Sequence, residues 1–140
     1  MPFVMRAQIV KIPNENFLKG LIAAKVDKNH DGKIQLSEAL LVKSIYVVKR
    51  GISSLEGIAS FKNLKELNCN DNELNRAEVD LSKNLMLTKL ECENNKLTTL
   101  DVSKNTNLTT LDCSFNELTA LDVSQNTALI KLDCYTNELT

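Results

Sequence analysis

The sequence has little of what nucleic-acid binding, membrane insertion or nucleophilic catalysis requires. Its net charge is −1 at pH 7 and its lysines and arginines form no basic cluster, which argues against a nucleic-acid partner. No run of about 18 apolar residues occurs, so membrane insertion is not expected. His30 is the only histidine, which leaves no second general base and no candidate for nucleophilic catalysis. These absences favour one soluble globular unit that is not an enzyme.

The two ends of the sequence lack familiar signals. The first ten residues include Arg6 but no positively charged start followed by an apolar core, so they do not resemble a signal peptide. Thr140 comes just after a strand pattern, with no sequence that would cap a repeat array. We expect that the chain is part of a longer protein, or that a second copy covers its last coil by end-to-end self-association.

What the sequence does contain is a repeat with the frame L-x-x-L-x-L/C-x-x-N-x-L, which is typical of leucine-rich repeats. The repeat is plainest in residues 108–129 and recurs on both sides of them. From Val42 onward, successive frames begin 22, 23, 21 and 21 residues apart, and residues 75–78 are expected to form a small bulge or loop. The aligned apolar sets are Val42/Ile45/Val47, Leu64/Leu67/Cys69, Leu87/Leu90/Cys92, Leu108/Leu111/Cys113 and Leu129/Leu132/Cys134.

Each frame predicts a short strand, because apolar residues such as Leu111 and Cys113 alternate with polar ones. No coil can bury its own apolar row, so the coils must stack and their strands must form one parallel sheet. The expected fold is an α/β solenoid, mostly β, of about five coils of 21–23 residues. Residues 1–41 are assigned to an N-terminal helical cap and residues 42–140 to the leucine-rich repeats.

Asparagine recurs after each strand pattern except the first, where Arg50-Gly51 stands instead. An asparagine amide can satisfy backbone donors and acceptors that a turn would otherwise bury unpaired. The sequence therefore predicts a structural ladder formed by Asn72, Asn95, Asn116 and Asn137.

A fainter repeat lies in the other half of each coil and predicts an extended backbone there rather than a helix. It spans residues 79–84, 100–105 and 121–126. Its aspartates are expected to form local hydrogen bonds in turns, and they are Asp80, Asp101 and Asp122.

The one site whose chemistry can be read from the sequence precedes the repeats. A helix is predicted to start at residues 14–16 and to run to about Val26. Residues 27–38, DKNHDGKIQLSE, follow it and match the EF-hand loop D-x-[DN]-x-[DN]-G-x5-E at every fixed position. The outgoing helix must be short because the first repeat frame begins at Val42. This unit therefore adjoins the first coil and is expected to cap it.

The loop is expected to bind Ca²⁺, which takes about six to eight oxygen ligands. Gly32 permits the sharp turn, and Ile34 should point inward and anchor the loop. The expected ligands are the side-chain oxygens of Asp27, Asn29 and Asp31, the backbone carbonyl of Lys33, a carbonyl or bridging water at Gln35, and both carboxylate oxygens of Glu38. Calcium should then stabilise the array by ordering the cap. The alternative is an acidic helix-turn-helix that holds no ion.

Four cysteines occupy the same inward strand position in four successive coils: Cys69, Cys92, Cys113 and Cys134. An even number of cysteines in an exported protein suggests disulfides, and four suggest zinc. The spacing favours neither, because no C-x-x-C pair occurs and cysteine is among the most buried residue types. We predict that all four are buried and reduced.

The outward face of the predicted sheet is the candidate binding surface. Glu91, Asp112 and Asp133 should stack one coil apart, and adjacent like charges destabilise a sheet unless a basic partner or cation neutralises them. The alternative is a solvated face that Lys89 and Lys131 relieve. Aromatic side chains suited to anchor a ligand lie on or beside this face at Tyr46, Phe115 and Tyr135.

The order of these parts resembles that of the secreted leucine-rich repeat proteins abundant in Bacteroidetes, which are akin to internalins in architecture. The resemblance covers nearly the whole chain from about Ala7 and is carried by IPNENFLKGLI, VDKNHDGKIQLSEA, GISSLEGIASFKNLKELNC and LTTLDVSKNTNLTTLDCSFNELTALDVS. It implies an exported or cell-surface protein that binds other macromolecules, often within a longer chain.

These observations predict an extracellular or cell-surface leucine-rich repeat module for protein–protein interaction or adhesion, with a structural calcium loop in its cap. Protein is the expected ligand, and the outward face of the sheet is the expected surface. The alternative is a rigid spacer or stalk of a larger surface protein, with the ligand site elsewhere.

Overall fold

The repeats form a solenoid of five coils whose strands build one parallel sheet. A computed structural model describes residues 7–75 and 79–140. Its strands, joined in chain order, are β1 (Ser44–Tyr46), β2 (Glu66–Asn68), β3 (Lys89–Glu91), β4 (Thr110–Asp112) and β5 (Lys131–Asp133). The expected leucine-rich repeat solenoid, mostly β, is confirmed. The bulge expected at residues 75–78 falls almost wholly on residues 76–78, which lie outside the described residues.

The strand register is the one that the sequence repeat predicts. Leu111 pairs with Leu90 on one side and Leu132 on the other, and the row continues through Leu67 to Ile45. These side chains point into the coils, and all of them except Leu132 are buried. A slip of one residue would turn the whole apolar row toward solvent, so burial holds the register.

The predicted asparagine ladder is also present. The Nδ2 of Asn116 donates to the carbonyl of Cys92 in the preceding coil and to that of Cys113 in its own coil. Its Oδ1 accepts from the N–H of Leu97. Equivalent bonds are made by Asn72, Asn95 and Asn137. One side chain per coil thus satisfies backbone groups of two coils.

The first coil has no asparagine of its own at this turn and uses that of the second coil. The Oδ1 of Asn72 accepts from the N–H groups of Arg50 and Ile52, each at 3.0 Å. Its Nδ2 donates to the carbonyl of Val47 at 2.8 Å. The turn at Arg50-Gly51 therefore depends on the next coil.

In the second to fourth coils the back is not helical, as expected, but turns interrupt the expected extended backbone. Residues 79–87, 100–108 and 121–129 each contain two successive turns and no strand or helix, while the first coil has a 3₁₀ turn at Ile58–Ser60. Buried asparagines join these turns, as when the Nδ2 of Asn105 donates to backbone carbonyls of the preceding coil, both at 3.0 Å. The members of this row are Asn84, Asn105 and Asn126.

The local hydrogen bonds predicted for the aspartates of this half are confirmed. The Oδ1 of Asp101 accepts from the N–H of Ser103 at 2.9 Å. Asp80 and Asp122 bond Ser82 and Ser124 in the same way. Each aspartate thus closes a tight turn at the surface.

The N-terminal residues form a helix shorter than expected. Helix α1 covers Glu15–Ala23, with Asn14 as its N-cap. The expected end at Val26 is wrong, because Lys25 has a left-handed φ of 61° and the chain turns before Val26 is buried. Helix α2, Leu36–Ala39, is short, as expected. Within the described residues, neither helix is long and apolar enough to cross a membrane.

Helix α1 packs closely against the first coil. A Cβ atom on Gly20 would lie 3.0 Å from Cγ1 of Val47 and 3.1 Å from Cδ of Arg50. Phe17 and Leu21 of the same helix are fully buried. The apolar core therefore continues from α1 into the coils without a break.

The last coil is less covered than the others. Leu132 is 40% exposed, whereas Leu111 in the same row is fully buried.

All four cysteines are free thiols, and three of them are buried: Cys69, Cys92 and Cys113. The expectation of burial is wrong for Cys134, which is only partly buried because, among the described residues, β5 has a neighbouring strand on one side only.

Candidate functional site

The EF-hand-like loop, residues 27–38, folds around its own acidic side chains. Asp27 accepts hydrogen bonds from the N–H of Asp31 at 3.3 Å and from the N–H of Gly32 at 2.9 Å. Asp31 accepts in turn from the N–H of Lys33 at 2.9 Å. Gly32 has a φ of 78°, so the sharp turn assigned to it is present. Ile34 is buried, in agreement with its predicted inward direction.

Glu38 closes the loop from the first turn of α2. Its Oε1 accepts from the N–H groups of Lys28 at 2.6 Å and Asn29 at 3.2 Å. Its Oε2 accepts from the N–H of Gln35 at 2.9 Å. One carboxylate therefore ties the start of the loop to its end through charge-assisted hydrogen bonds.

Two carboxylates of this loop are buried and form no ion pair with any residue that the structure describes. Asp27 is 4% exposed and Glu38 is 7% exposed. The ion pairs found within the described residues join other groups, namely Lys11–Glu56, Lys19–Glu15, Lys49–Asp71, Lys89–Glu91 and Lys131–Asp133. A buried charge is costly unless it is paired, hydrogen-bonded or bound to a metal, and here five backbone N–H groups donate to the two carboxylates.

The other predicted ligands line the same loop. Asn29 Nδ2 lies 3.2 Å from Gln35 Oε1 and 3.4 Å from Asp31 Oδ2, and Gln35 Nε2 lies 2.7 Å from that same oxygen. The residues fit calcium in kind and in order along the chain. Among residues 7–75 and 79–140, however, no three His, Cys, Asp or Glu side chains are close enough to hold a metal ion. The amide nitrogens of Asn29 and Gln35, rather than their oxygens, face Asp31 Oδ2.

The segment before α1 pairs with this loop, a contact that the sequence analysis missed. The N–H of Val10 donates to the carbonyl of Ile34 at 2.8 Å, and the N–H of Leu36 donates to the carbonyl of Gln8 at 2.7 Å. Ile9 and Gln35 form the antiparallel bridge between these bonds. The only sign of this pairing in the sequence was the apolar character of residues 9, 10 and 12.

The outward face of the sheet carries the predicted acidic column. Glu91, Asp112 and Asp133 are register partners on successive strands. Lys89 Nζ lies 3.1 Å from Glu91 Oε1, and Lys131 Nζ lies 2.9 Å from Asp133 Oδ2. These hydrogen bonds to carboxylates raise the pKa of both lysines. No ion pair joins Asp112 in the part of the chain that is described, since β4 has a threonine where β3 and β5 have lysine.

The aromatic side chains predicted beside this face are exposed there. Tyr46 is 53% exposed, and its O–H donates to Glu66 on β2, which raises the pKa of the phenol. Phe115 and Tyr135 are 43% and 56% exposed. Their rings meet edge to face, with centroids 5.1 Å apart and planes at 81°. These two residues form one aromatic patch across the last two coils.

Phe115 holds a backbone conformation that aromatic residues rarely adopt. Its φ is 51°, in the left-handed region, which costs a residue with a Cβ atom about 1–2 kcal/mol. The same turn is left-handed in the other coils, where the residues are Lys49, Asp71, Asn94 and Thr136. Asparagine and aspartate tolerate this region best. Neither the turn nor the core therefore requires a phenylalanine at this position.

Among the comparisons with known proteins, the solved structures support the fold. No family model matches the sequence, and no curated protein matches it. The structure of an internalin, InlF, from Listeria monocytogenes is similar, with a TM-score of 0.77 and 20% identity over 99% of this chain and 48% of that chain. The functional domain of InlJ from the same organism gives a TM-score of 0.49 and 26% identity over 96% of this chain and 44% of the other. The structure of a leucine-rich repeat protein of Leptospira interrogans gives a TM-score of 0.51 and 22% identity, over 74% of this chain and 34% of that chain.

The similarity to InlF shows that this chain has the leucine-rich repeat solenoid seen in an internalin. At 20% identity the similarity shows the fold alone. The chain spans about half the length of InlF, with 48% of that chain covered.

Proposed function

We propose that this chain is a module that binds protein ligands through the outward face of its sheet. Phe115 carries the proposal, because an exposed aromatic residue at a left-handed position costs stability without filling the core. Backbone strain clusters at functional sites, and aromatic side chains supply much of the binding energy at protein interfaces. The proposed face joins Phe115 to the residues Tyr46, Glu91, Asp112, Asp133 and Tyr135.

The ligand should present a basic side chain to this face. Asp112 is the carboxylate of the column that forms no ion pair among the described residues, and its strand adjoins the one that leads to Tyr135. A lysine or arginine placed there would gain both a charge partner and an aromatic neighbour. Extended surfaces of this kind are what stacked repeats use for binding, which supports the proposal.

Charge reversal on the two sides of the sheet tests the proposal. Beads carrying the wild-type module, the variant D112K/D133K, or the control D101K/D122K would be incubated with the same cell-surface extract, and retained proteins quantified by mass spectrometry. The control makes the same charge change on the back of two neighbouring coils, the third and the fourth, whereas Asp112 and Asp133 belong to the fourth and the fifth. We expect proteins retained by the wild type and the control to be lost from D112K/D133K.

The rival function is a rigid spacer of a larger surface protein. The uninterrupted core from α1 into the coils favours rigidity. A spacer predicts that D112K/D133K and D101K/D122K retain the same proteins as the wild type. That result would remove the binding face from consideration.

We also propose that residues 27–38 form a structural calcium site in the N-terminal cap. Its support is the pair of buried carboxylates, Asp27 and Glu38, that no cationic side chain contacts among the described residues. The proposed ligands are Asp27, Asn29, Asp31, Lys33 through its carbonyl, Gln35 and Glu38. Bound calcium would supply the missing positive charge, and these residues would hold the cap against the first coil.

Thermal unfolding with calcium or with chelator tests the calcium site. Calcium should raise the midpoint by about 5 °C or more, because a ligand that binds only the folded state stabilises it. The variant D31N should lose this shift. The control K33A should keep it, since Lys33 is expected to contribute only its backbone carbonyl. A midpoint that calcium leaves unchanged in the wild type would contradict the site.

We propose finally that the protein is exported and acts at the cell surface, as the likeness to internalins in architecture suggests. The gene sequence on either side of this segment tests the proposal. An export signal upstream and an anchoring domain downstream would support it, and their absence from the full gene would contradict it.

A further inference from the structure

The polar side chains on the outward face of the first three coils bind one another. The O–H of Tyr46 donates to the carboxylate of Glu66. Oε1 of Glu91 lies 3.1 Å from Nζ of Lys89, and Oε2 of Glu91 accepts from Nδ2 of Asn68 at 2.8 Å. Glu91 therefore has a partner for each carboxylate oxygen and presents neither of them free to a ligand.

The fourth coil differs, because two oxygen atoms on it lack donors. Oδ1 of Asp112 accepts from the N–H of Ser114 at 3.0 Å, but Oδ2 accepts no hydrogen bond and joins no ion pair in the part of the chain that the structure describes. Ser114 is fully buried, and its Oγ has no hydrogen-bond partner within residues 7–75 and 79–140. A buried hydroxyl without a partner costs free energy, so Ser114 is not explained by stability alone.

These two oxygens lie beside the aromatic patch. Asp112 and Ser114 are two residues apart, so alternation along the extended chain directs both side chains to the outward face. On the next coil, Asp133 is the register partner of Asp112, and Tyr135 follows it by the same two residues. The N–H of Phe115 donates to the carbonyl of Tyr135, and their rings meet edge to face. A free carboxylate oxygen, a hydroxyl without a partner and two aromatic rings are thus neighbours.

We propose that residues 112–115 bind an arginine side chain of the protein ligand. The inference rests on the binding face proposed above and names the group that this face recognises. A guanidinium carries five N–H donors in one plane, so it can donate to Oδ2 of Asp112 and Oγ of Ser114 together while its flat side stacks on a ring. A lysine ammonium is a compact point charge without a flat side.

The ligand reaches Ser114 by displacing a neighbouring side chain, because the hydroxyl is buried. Tyr135 stands beside Ser114 on the next coil and is 56% exposed, so its ring has room to move toward solvent. In that position the ring can cover the bound guanidinium and add a cation–π contact. Binding should therefore change the surroundings of both Ser114 and Tyr135.

Two capped tripeptides, Gly-Arg-Gly and Gly-Lys-Gly, test the arginine site. Each would be titrated into the isotope-labelled protein, and the chemical shifts of the backbone amides at residues 112–115 would give a dissociation constant. We expect the arginine peptide to bind about fivefold more tightly than the lysine peptide, because only the guanidinium fits two acceptors and a ring at once.

Variants at the two oxygens separate their contributions. S114A removes the hydroxyl and should bring the two peptides within about twofold of each other while both still bind. D112N keeps the oxygen that accepts from Ser114 but removes the charge, so both peptides should bind about tenfold more weakly. The control D122N makes the same change on the back of the same coil and should stay within about twofold of the wild type.

The outcomes separate this site from the proposed function. Equal binding of the two peptides by the wild type, or an unchanged preference in S114A, would overturn the arginine site. Absence of shifts at residues 112–115 with either peptide would overturn it as well. The retention experiment with D112K/D133K decides separately whether the face binds protein, so a failure of one proposal is distinguishable from a failure of the other.

Discussion

The side-chain oxygen of Asn116 accepts a hydrogen bond from the backbone N–H of Leu97, one coil earlier, at 3.0 Å. The same amide donates to the carbonyls of Cys92, Cys113 and Ser114. Four backbone groups of two coils thus depend on one buried asparagine. The asparagine of one coil thus satisfies backbone groups in the turn of the coil before it, so the ladder holds neighbouring coils together.

Replacing Asn116 by alanine should therefore lower the free energy of unfolding by about 1–3 kcal/mol, because buried backbone groups lose their partners. The control is N107A, at an exposed asparagine with one bond to the Leu85 carbonyl, and its effect should stay within about 0.5 kcal/mol. Urea unfolding followed by circular dichroism measures both. Equal effects of the two substitutions would contradict the ladder.

Glu38 should stabilise the cap even without calcium. Its carboxylate accepts from three backbone N–H groups, and hydrogen bonds to a charged group contribute about 1.5–3 kcal/mol each. In the presence of chelator, E38A should lower the free energy of unfolding by at least about 2 kcal/mol. K28A keeps the backbone donor and removes only an exposed side chain, so it should change little. A small effect of E38A in chelator would mean that the loop needs the ion to fold.

The surface aspartates should make the protein sensitive to acid. Hydrogen bonds from Ser82, Ser103 and Ser124 lower the pKa of Asp80, Asp101 and Asp122. A carboxylate whose pKa is lower in the folded state stabilises the protein above the unfolded pKa of about 3.9, and that contribution is lost as pH falls through the folded pKa.

The triple variant D80N/D101N/D122N should consequently lose less stability than the wild type between about pH 5 and pH 2. Asparagine keeps the side-chain oxygen that accepts the turn hydrogen bond, so the turns should persist. Urea unfolding at a series of pH values measures the slope. Identical slopes for the two proteins would show that these aspartates do not control acid unfolding.

The thiols should differ sharply in reactivity. Burial raises the pKa of Cys69 and Cys113 to about 12 and that of Cys92 well above its ordinary value, and the thiolate is the reactive form. At about pH 8, a thiol reagent should modify one cysteine quickly, and mass spectrometry should identify it as Cys134. The variant C134S should then lack the fast phase. Rapid modification of Cys69 or Cys92 in the native protein would contradict the buried column.

The regular part of the fold could be predicted from sequence because one physical rule governs it. Burial of a row such as Leu90, Leu111 and Leu132 sets the strand, the register and the ladder together. The end of α1 could not be predicted, since apolar spacing continues to Val26 although the backbone turns at Lys25. The non-helical back of the coils was predicted, but its turns were not, because residues such as Asn105 bond to backbone groups of the preceding coil.

The candidate sites were predictable where chemistry is local. The loop from Asp27 to Glu38 has its ligand types at fixed spacing, so its turn at Gly32 could be foreseen. Pairing of Val10 with Ile34 could not, because it joins residues far apart in sequence through backbone groups that every residue carries. The left-handed backbone conformation of Phe115 could not be predicted either, since it depends on the geometry of the turn rather than on the residue type.

The five strands are hydrogen-bonded in chain order, so β1 and β5 share no neighbouring strand in the sheet. Substitutions in coils that far apart should have additive effects, whereas those in adjacent coils should not. The number of coils can therefore change without altering how neighbouring coils pack. A whole coil inserted between β3 and β4 would pack against a coil on each side, as the present coils do. Natural variation in the number of coils could therefore change the reach of the protein while leaving its loop and its aromatic patch intact.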